Sequence, residues 1–107
     1  MQYLVHGEFV DPGALLPPQQ LGQIVENAVI PSLETLAKDK RVLAGGILAG
    51  TRVGVAILEA ASNKEVDEFL QGLPFWGLLK WTVTPLTSYA DRAAGDRKMI
   101  ERLKAMK

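Results

Sequence analysis

The segment that most constrains this chain is a pair of apolar runs, Arg41–Ala49 and Arg52–Ala60, separated by Gly50 and Thr51. Each run is short and rich in β-branched residues, and the gap fits a hairpin. In the second run Val53, Val55 and Ile57 point one way while Ala56 and Leu58 point the other. Strands apolar on both sides need cover on both sides. The adjacent Gly45 and Gly46 predict a bulge or a close backbone approach in the first run.

The flanking segments supply cover for one side. Residues 2–9 alternate, with Tyr3, Val5, Gly7 and Phe9 on one face and Gln2, Leu4, His6 and Glu8 on the other, which is a strand with two unlike faces. Residues 10–18 read as a loop. From Gln19 to Lys38, Leu21, Ile24, Val25, Ala28, Val29, Leu33 and Leu36 recur at helical spacing. Pro31 removes a backbone donor within that stretch, so a kink or a break is expected there. Ser62-Asn63-Lys64-Glu65 is a capping box. It opens a helix that buries Val66, Phe69 and Leu70 and stops at Gly72. Leu78–Leu86 is a last strand ended by Pro85. Ser88 with Asp91 starts a final helix or tail over 88–107, with Tyr89, Met99, Ile100, Leu103 and Met106 as an apolar side open to contact with a neighbouring subunit.

The order is βαββαβ plus a helix. It predicts a single α+β domain over residues 1–107, a ferredoxin-like sandwich whose two core helices cover one sheet face. The other face carries Leu4, His6 and Glu8 beside the apolar middle strands. A second copy packed sheet to sheet is the simplest cover, because burial is worth about 25 cal/mol per Å². A homo-oligomer with a shared cleft for a small molecule is therefore expected.

Composition removes several functions. Twelve basic and twelve acidic residues cancel, and no basic run offers a phosphate backbone its counter-charge, so no nucleic-acid partner is expected. With no cysteine and one histidine, neither thiolate chemistry nor a metal site is expected. No stretch approaches the length of a membrane span, the start MQYLVHGEF lacks a basic leader, and a cytoplasmic protein follows.

Phe69–Leu86, FLQGLPFWGLLKWTVTPL, resembles the signature region of the muconolactone Δ-isomerase-like proteins. The matching pieces are Leu73-Pro74-Phe75, Val83-Thr84-Pro85-Leu86 and the helix start Ala61-Ser62-Asn63-Lys64-Glu65. The resemblance covers residues 53–90. It implies a dimeric α+β barrel, often in larger rings, that uses no cofactor and moves a double bond in a lactone from the breakdown of aromatic compounds. Two features depart from that pattern. Val42–Ala49 carries no titratable side chain, and the first helix contains Pro31.

Moving such a bond needs a base at the carbon acid and a donor for the enolate oxygen. His6 and Glu8, two apart on one strand, face the expected cleft together. An imidazole with an ordinary pKa near ~6.5 suits proton shuttling, and Glu8 can act as base or orient the ring. A hydrogen-bonded pair at an interface is the plainer alternative. Glu59 is a carboxylate on an apolar strand side, or simply the strand's solvent end. Lys80 and Thr82 share one face of the last strand, where Lys80 either polarises a carbonyl or guards an edge. Trp76 is a candidate pocket lid or oligomer contact. Trp81 alternates with Leu79 and Val83 and belongs to the core. Arg41 and Arg52 bracket the hairpin as surface residues. The leading reading is a cofactor-independent isomerase with His6 and Glu8 as proton carriers and Glu59, Trp76, Lys80 and Thr82 around the substrate. The alternatives are a non-catalytic binder or structural oligomer, and a cofactorless cyclase or monooxygenase.

Overall fold

A computed structural model describes residues 1–10 and 16–106. Its centre is β1 (Gln2–Phe9), which pairs antiparallel with β3 (Val53–Glu59) on one side and with β4 (Leu79–Leu86) on the other. β2 (Val42–Ile47) lies outside β3, giving the order β2-β3-β1-β4. Two helical crossovers and one hairpin connect these strands, as the ferredoxin-like order requires. The loop expected over 10–18 falls largely on residues 11–15, outside the described residues, as does Lys107.

The alternation of β1 is obeyed. Tyr3, Val5 and Gly7 are buried, while Leu4 and Glu8 are exposed. Tyr3 and Val5 join Leu58, Ala60, Val66, Phe69, Leu70, Leu73 and Phe75 in one core. Among the described residues, the opposite sheet face leaves Leu4 and Glu8 exposed and His6 half-buried.

The first crossover differs from expectation in how Pro31 is absorbed. The helix does not break at Pro31. α1 (Pro18–Ile24) runs through a π-helical turn, Val25–Val29, into α2 (Ile30–Lys38), with right-handed helical angles at both junctions. The Ile30 N–H reaches five residues back to the Val25 oxygen. This wider turn makes room just ahead of a residue that has no N–H to return.

Immediately after Pro31 sits Ser32, fully buried. Its hydroxyl donates to the Ala28 oxygen at 2.7 Å and accepts the Phe75 N–H at 3.0 Å. One side chain thus ties the first crossover to the Leu73-Pro74-Phe75 corner. Ser32→Ala strands that buried N–H and is expected to cost about 1–3 kcal/mol in urea unfolding. Ser32→Thr, which keeps the hydroxyl, separates this loss from a mere packing change.

The second crossover, α3 (Asn63–Gln71), starts at the expected cap. The Ser62 hydroxyl accepts the Glu65 N–H at 3.2 Å. The reciprocal bond lands one residue earlier than the usual box, from the Ala61 N–H to Glu65 at 2.9 Å. A 3-10 turn, Trp76–Leu78, then leads into β4, which begins at Leu79 and continues through Pro85 to Leu86. A proline is tolerated there because β4 is an edge strand.

Of the alternatives for the glycine pair, the close backbone approach is found at Gly45, and a bulge lies just before it in the same strand. The β2–β3 register slips between Val42 and Ala44, which leaves Leu43 as the bulge residue. Gly45 has φ +154° and approaches β3 so closely that a Cβ would lie 2.4 Å from the Val55 oxygen.

The last helix, α4 (Tyr89–Ala105), is capped by Ser88, whose hydroxyl accepts the Asp91 N–H at 3.1 Å. None of its residues is buried. It projects from the sandwich, giving extents of 69 × 27 × 23 Å. No described helix is long and apolar enough to cross a membrane.

Candidate functional site

The strand register arranges the open sheet face in lateral rows. Glu8 lies between Val53 and Lys80, His6 between Val55 and Thr82, Leu4 between Ile57 and Thr84, and Gln2 between Glu59 and Leu86. Paired residues share a face, with side chains about 5 Å apart. This face therefore collects His6, Glu8, Glu59, Lys80 and Thr82 on three adjacent strands. His6 is half-buried, and Glu8, Lys80 and Thr82 are exposed. Among the described residues no hydrogen bond joins His6 to Glu8, which stand two positions apart, roughly 7 Å along the strand. Glu59 takes the N-terminal ammonium at 2.9 Å. Trp76 stands apart at the corner, where its carbonyl accepts the Trp81 indole N–H at 3.0 Å.

A half-open cavity lies on the other side of the sheet. It has a volume of about 610 Å³ and lies between the α1–α2 crossover and the inner strand faces. That volume suits a small organic ligand. Leu21, Val25, Val29 and Leu33 form its helical wall, and Val5, Gly7, Ala56 and Trp81 its strand wall. None of the six residues singled out as site candidates lines it.

The local sequence explains the cavity. The π turn falls within the helical wall. Gly7, Gly45, Gly46 and Gly54 all border the cavity, so strand backbone forms part of its floor. At Gly7 the missing Cβ has a specific use. A Cβ there would come within 2.9 Å of the Trp81 ring, so the glycine lets that ring lie across β1. Phe75 meets the Trp81 ring edge-on, with centroids 5.9 Å apart. Trp81 is thus core packing, as its alternation implied, and also cavity wall.

The described wall is apolar, with two polar side chains from the hairpin. Thr51 is spent on the turn: its hydroxyl donates to the Leu48 oxygen at 2.7 Å and accepts the Val53 N–H at 3.1 Å. Arg52 is the one ionised side chain among the described wall residues, with its guanidinium 5.8 Å from the centre of the Phe9 ring. It is exposed, as the sequence reading expected, and its place in the cavity lining is what the sequence did not show. Arg41, by contrast, holds Asp39 through a two-pronged contact and covers the Phe69 ring at 4.6 Å. These bonds hold the Asp39 carboxyl below its ordinary range. No described cluster of His, Asp and Glu has the makings of a metal site.

Sequence reasoning missed Arg52 because the strand–helix gap that makes it a wall residue depends on register and crossover geometry. The available signal was weak: a lone cation directly after the hairpin turn, at the end of an otherwise apolar strand.

The muconolactone delta-isomerase family matches residues 1–92. Among solved structures, a muconolactone isomerase superposes with TM-score 0.66 at 16% identity, over 83% of this chain and 91% of that one. A 5-chloro-2-hydroxyhydroquinone dehydrochlorinase from Burkholderia phenoliruptrix, in complex with 2,5-dihydroxybenzoquinone, superposes with TM-score 0.57 at 24% identity, over 85% of this chain and 98% of that one. No curated protein sequence matches the chain.

Proposed function

This chain belongs to the muconolactone delta-isomerase family, and on that premise we propose that it is a cofactor-independent isomerase that moves a proton within a small unsaturated lactone or carbonyl compound. The observation that carries this reading is the apolar cavity, roomy enough for a small ring, with the Arg52 guanidinium in its lining. An apolar seat desolvates the ring, and a cation beside the carbonyl oxygen stabilises the negative charge that develops when a neighbouring carbon loses its proton. Arg52 has that role here. The described wall holds no carboxylate or imidazole, so its share of the reaction is binding and stabilisation of the oxyanion, and water at the open side of the cavity takes the proton from one carbon and returns a proton to the other.

A second reading places the chemistry on the open face. It is favoured by the register, which puts an imidazole, a carboxylate and an ammonium on neighbouring strands. Roofed by a second subunit, His6 and Glu8 would transfer the proton, with Lys80, Thr82, Glu59 and Trp76 around the substrate.

One assay separates these readings: deuterium uptake from solvent into muconolactone, followed by proton NMR. The cavity reading expects Arg52→Met to lower kcat/KM about 10²-fold or more, with His6→Ala and Glu8→Gln within about threefold of the parent. The reverse pattern moves the chemistry to the open face. Binding without any deuterium uptake makes the protein a non-catalytic binder.

A further inference from the structure

We propose that the ligand of the cavity is a lactone or enone ring that carries a long apolar arm, with the ring's carbonyl oxygen at Arg52 and the arm laid along the sheet beneath α2. The inference rests on the cavity reading above and names the substrate class that the cavity selects.

The cavity is too large for a lone ring. An apolar cavity of about 150 Å³ takes up one benzene, and this one has about 610 Å³. The surplus runs in one direction. On the β3 side the lining extends from Arg52 to Leu58, six steps or about 20 Å of strand. On the helical side it extends from Leu21 to Ala37, sixteen steps or about 24 Å. α2 ends at Lys38, just before Val42 opens β2, and Val42 pairs with Leu58. Ala37 and Leu58 therefore share the end away from Arg52. The space is a trough about as long as a strand.

The two ends of the trough differ chemically. Thr51 and Arg52 are the only polar side chains among the described lining residues, and both belong to the hairpin end. The opposite end is made by Leu36, Ala37, Val42, Leu58 and Phe69. A cation at one end and hydrocarbon at the other fit a molecule with an oxygen-bearing head and an apolar tail. Between the ends, Gly45 and Gly54 offer bare backbone to the lining, which leaves a path for a chain. A γ-alkyl butenolide is the simplest ligand of this kind. Its arm stands across the ring oxygen from the carbonyl, so a carbonyl held at Arg52 sends the arm down the trough. A proton lost from the α carbon is replaced by one at the γ carbon, and the double bond moves with no other reagent.

Isothermal titration with γ-alkyl butenolides bearing methyl, butyl, octyl and dodecyl arms tests the proposal. Each methylene inside the trough should lower Kd about threefold to fourfold, so butyl should bind at least tenfold tighter than methyl, and octyl tighter again. Dodecyl, which outruns the trough, should gain less than about threefold over octyl. Ala37 is exposed and lines the far end, so Ala37→Trp fills that end without entering the core. It should weaken octyl binding at least tenfold and leave methyl binding within about twofold. Leu4→Trp, on the open face, should change neither. A methyl compound that binds as tightly as the octyl one overturns the proposal, and enzyme-dependent deuterium uptake into that methyl compound then leaves the isomerase reading standing. An arm-length dependence that Ala37→Trp does not alter, or that Leu4→Trp removes, puts the arm elsewhere and overturns it as well. Affinity that rises with arm length, without deuterium uptake, supports the apolar-armed ligand and removes the isomerase reading. Failure of every member to bind overturns both.

Discussion

Replacing Gly45 by valine is expected to cost the fold about 3 kcal/mol or more, read as a collapse of the urea midpoint followed by the fluorescence of Trp76 and Trp81. The space is closed by backbone: a Cβ at position 45 would sit 2.4 Å from the Val55 oxygen and 2.8 Å from the Ala56 Cα. Neither can move without breaking the β2–β3 ladder. The φ of +154° adds a strained conformation for any residue with a side chain. A domain of this size has a total stability of about 5–15 kcal/mol, so one such change consumes a large share of it. Gly46 is the control. A Cβ there meets nothing within 4 Å, and Gly46→Ala should stay within about 1 kcal/mol of the parent. Equal effects at both positions would mean that the close approach at Gly45 is not real.

The second large effect concerns the cavity. Val25 belongs to its helical wall and is 38% exposed, so an indole can be added there without forcing the core apart. Val25→Trp is expected to weaken binding of muconolactone at least 100-fold, about 2.7 kcal/mol, with an unfolding midpoint close to the parent's. Leu4→Trp puts the same bulk on the open face, where Leu4 is also 38% exposed. It should leave affinity within about twofold. Isothermal titration of both variants decides which side of the sheet holds the ligand.

The sequence was most informative where one physical constraint acted alone. Alternation over residues 2–9 assigned Tyr3 and Val5 to the core and His6 and Glu8 to the opposite face, because side chains alternate strictly along a strand. Ser62 and Glu65 announced the start of α3, and Gly45-Gly46 announced a close approach. Pro31 was legible as a disturbance, but its resolution as a π turn depends on what the crossover must span. Ser32 was invisible for a related reason: its partner, the Phe75 N–H, is remote in sequence. The site suffered most. His6 and Glu8 attracted attention as titratable residues on one face, whereas a cavity is a property of the gap between elements. Arg52 joins its wall through hairpin register and helix placement together, and neither is written in residues 51–53. The family resemblance rested on the Leu73-Pro74-Phe75 corner, which positions β4 and carries no acid or base.

The central claim is that a small ring binds between the α1–α2 crossover and the inner sheet face. The most direct measurement is a set of intermolecular NOEs from bound muconolactone to the protein's methyl groups. The account predicts contacts to Val29, Leu33 and Ala56. Contacts instead to Leu4, Val53 and Ile57, with the methyls of α2 untouched, would contradict it.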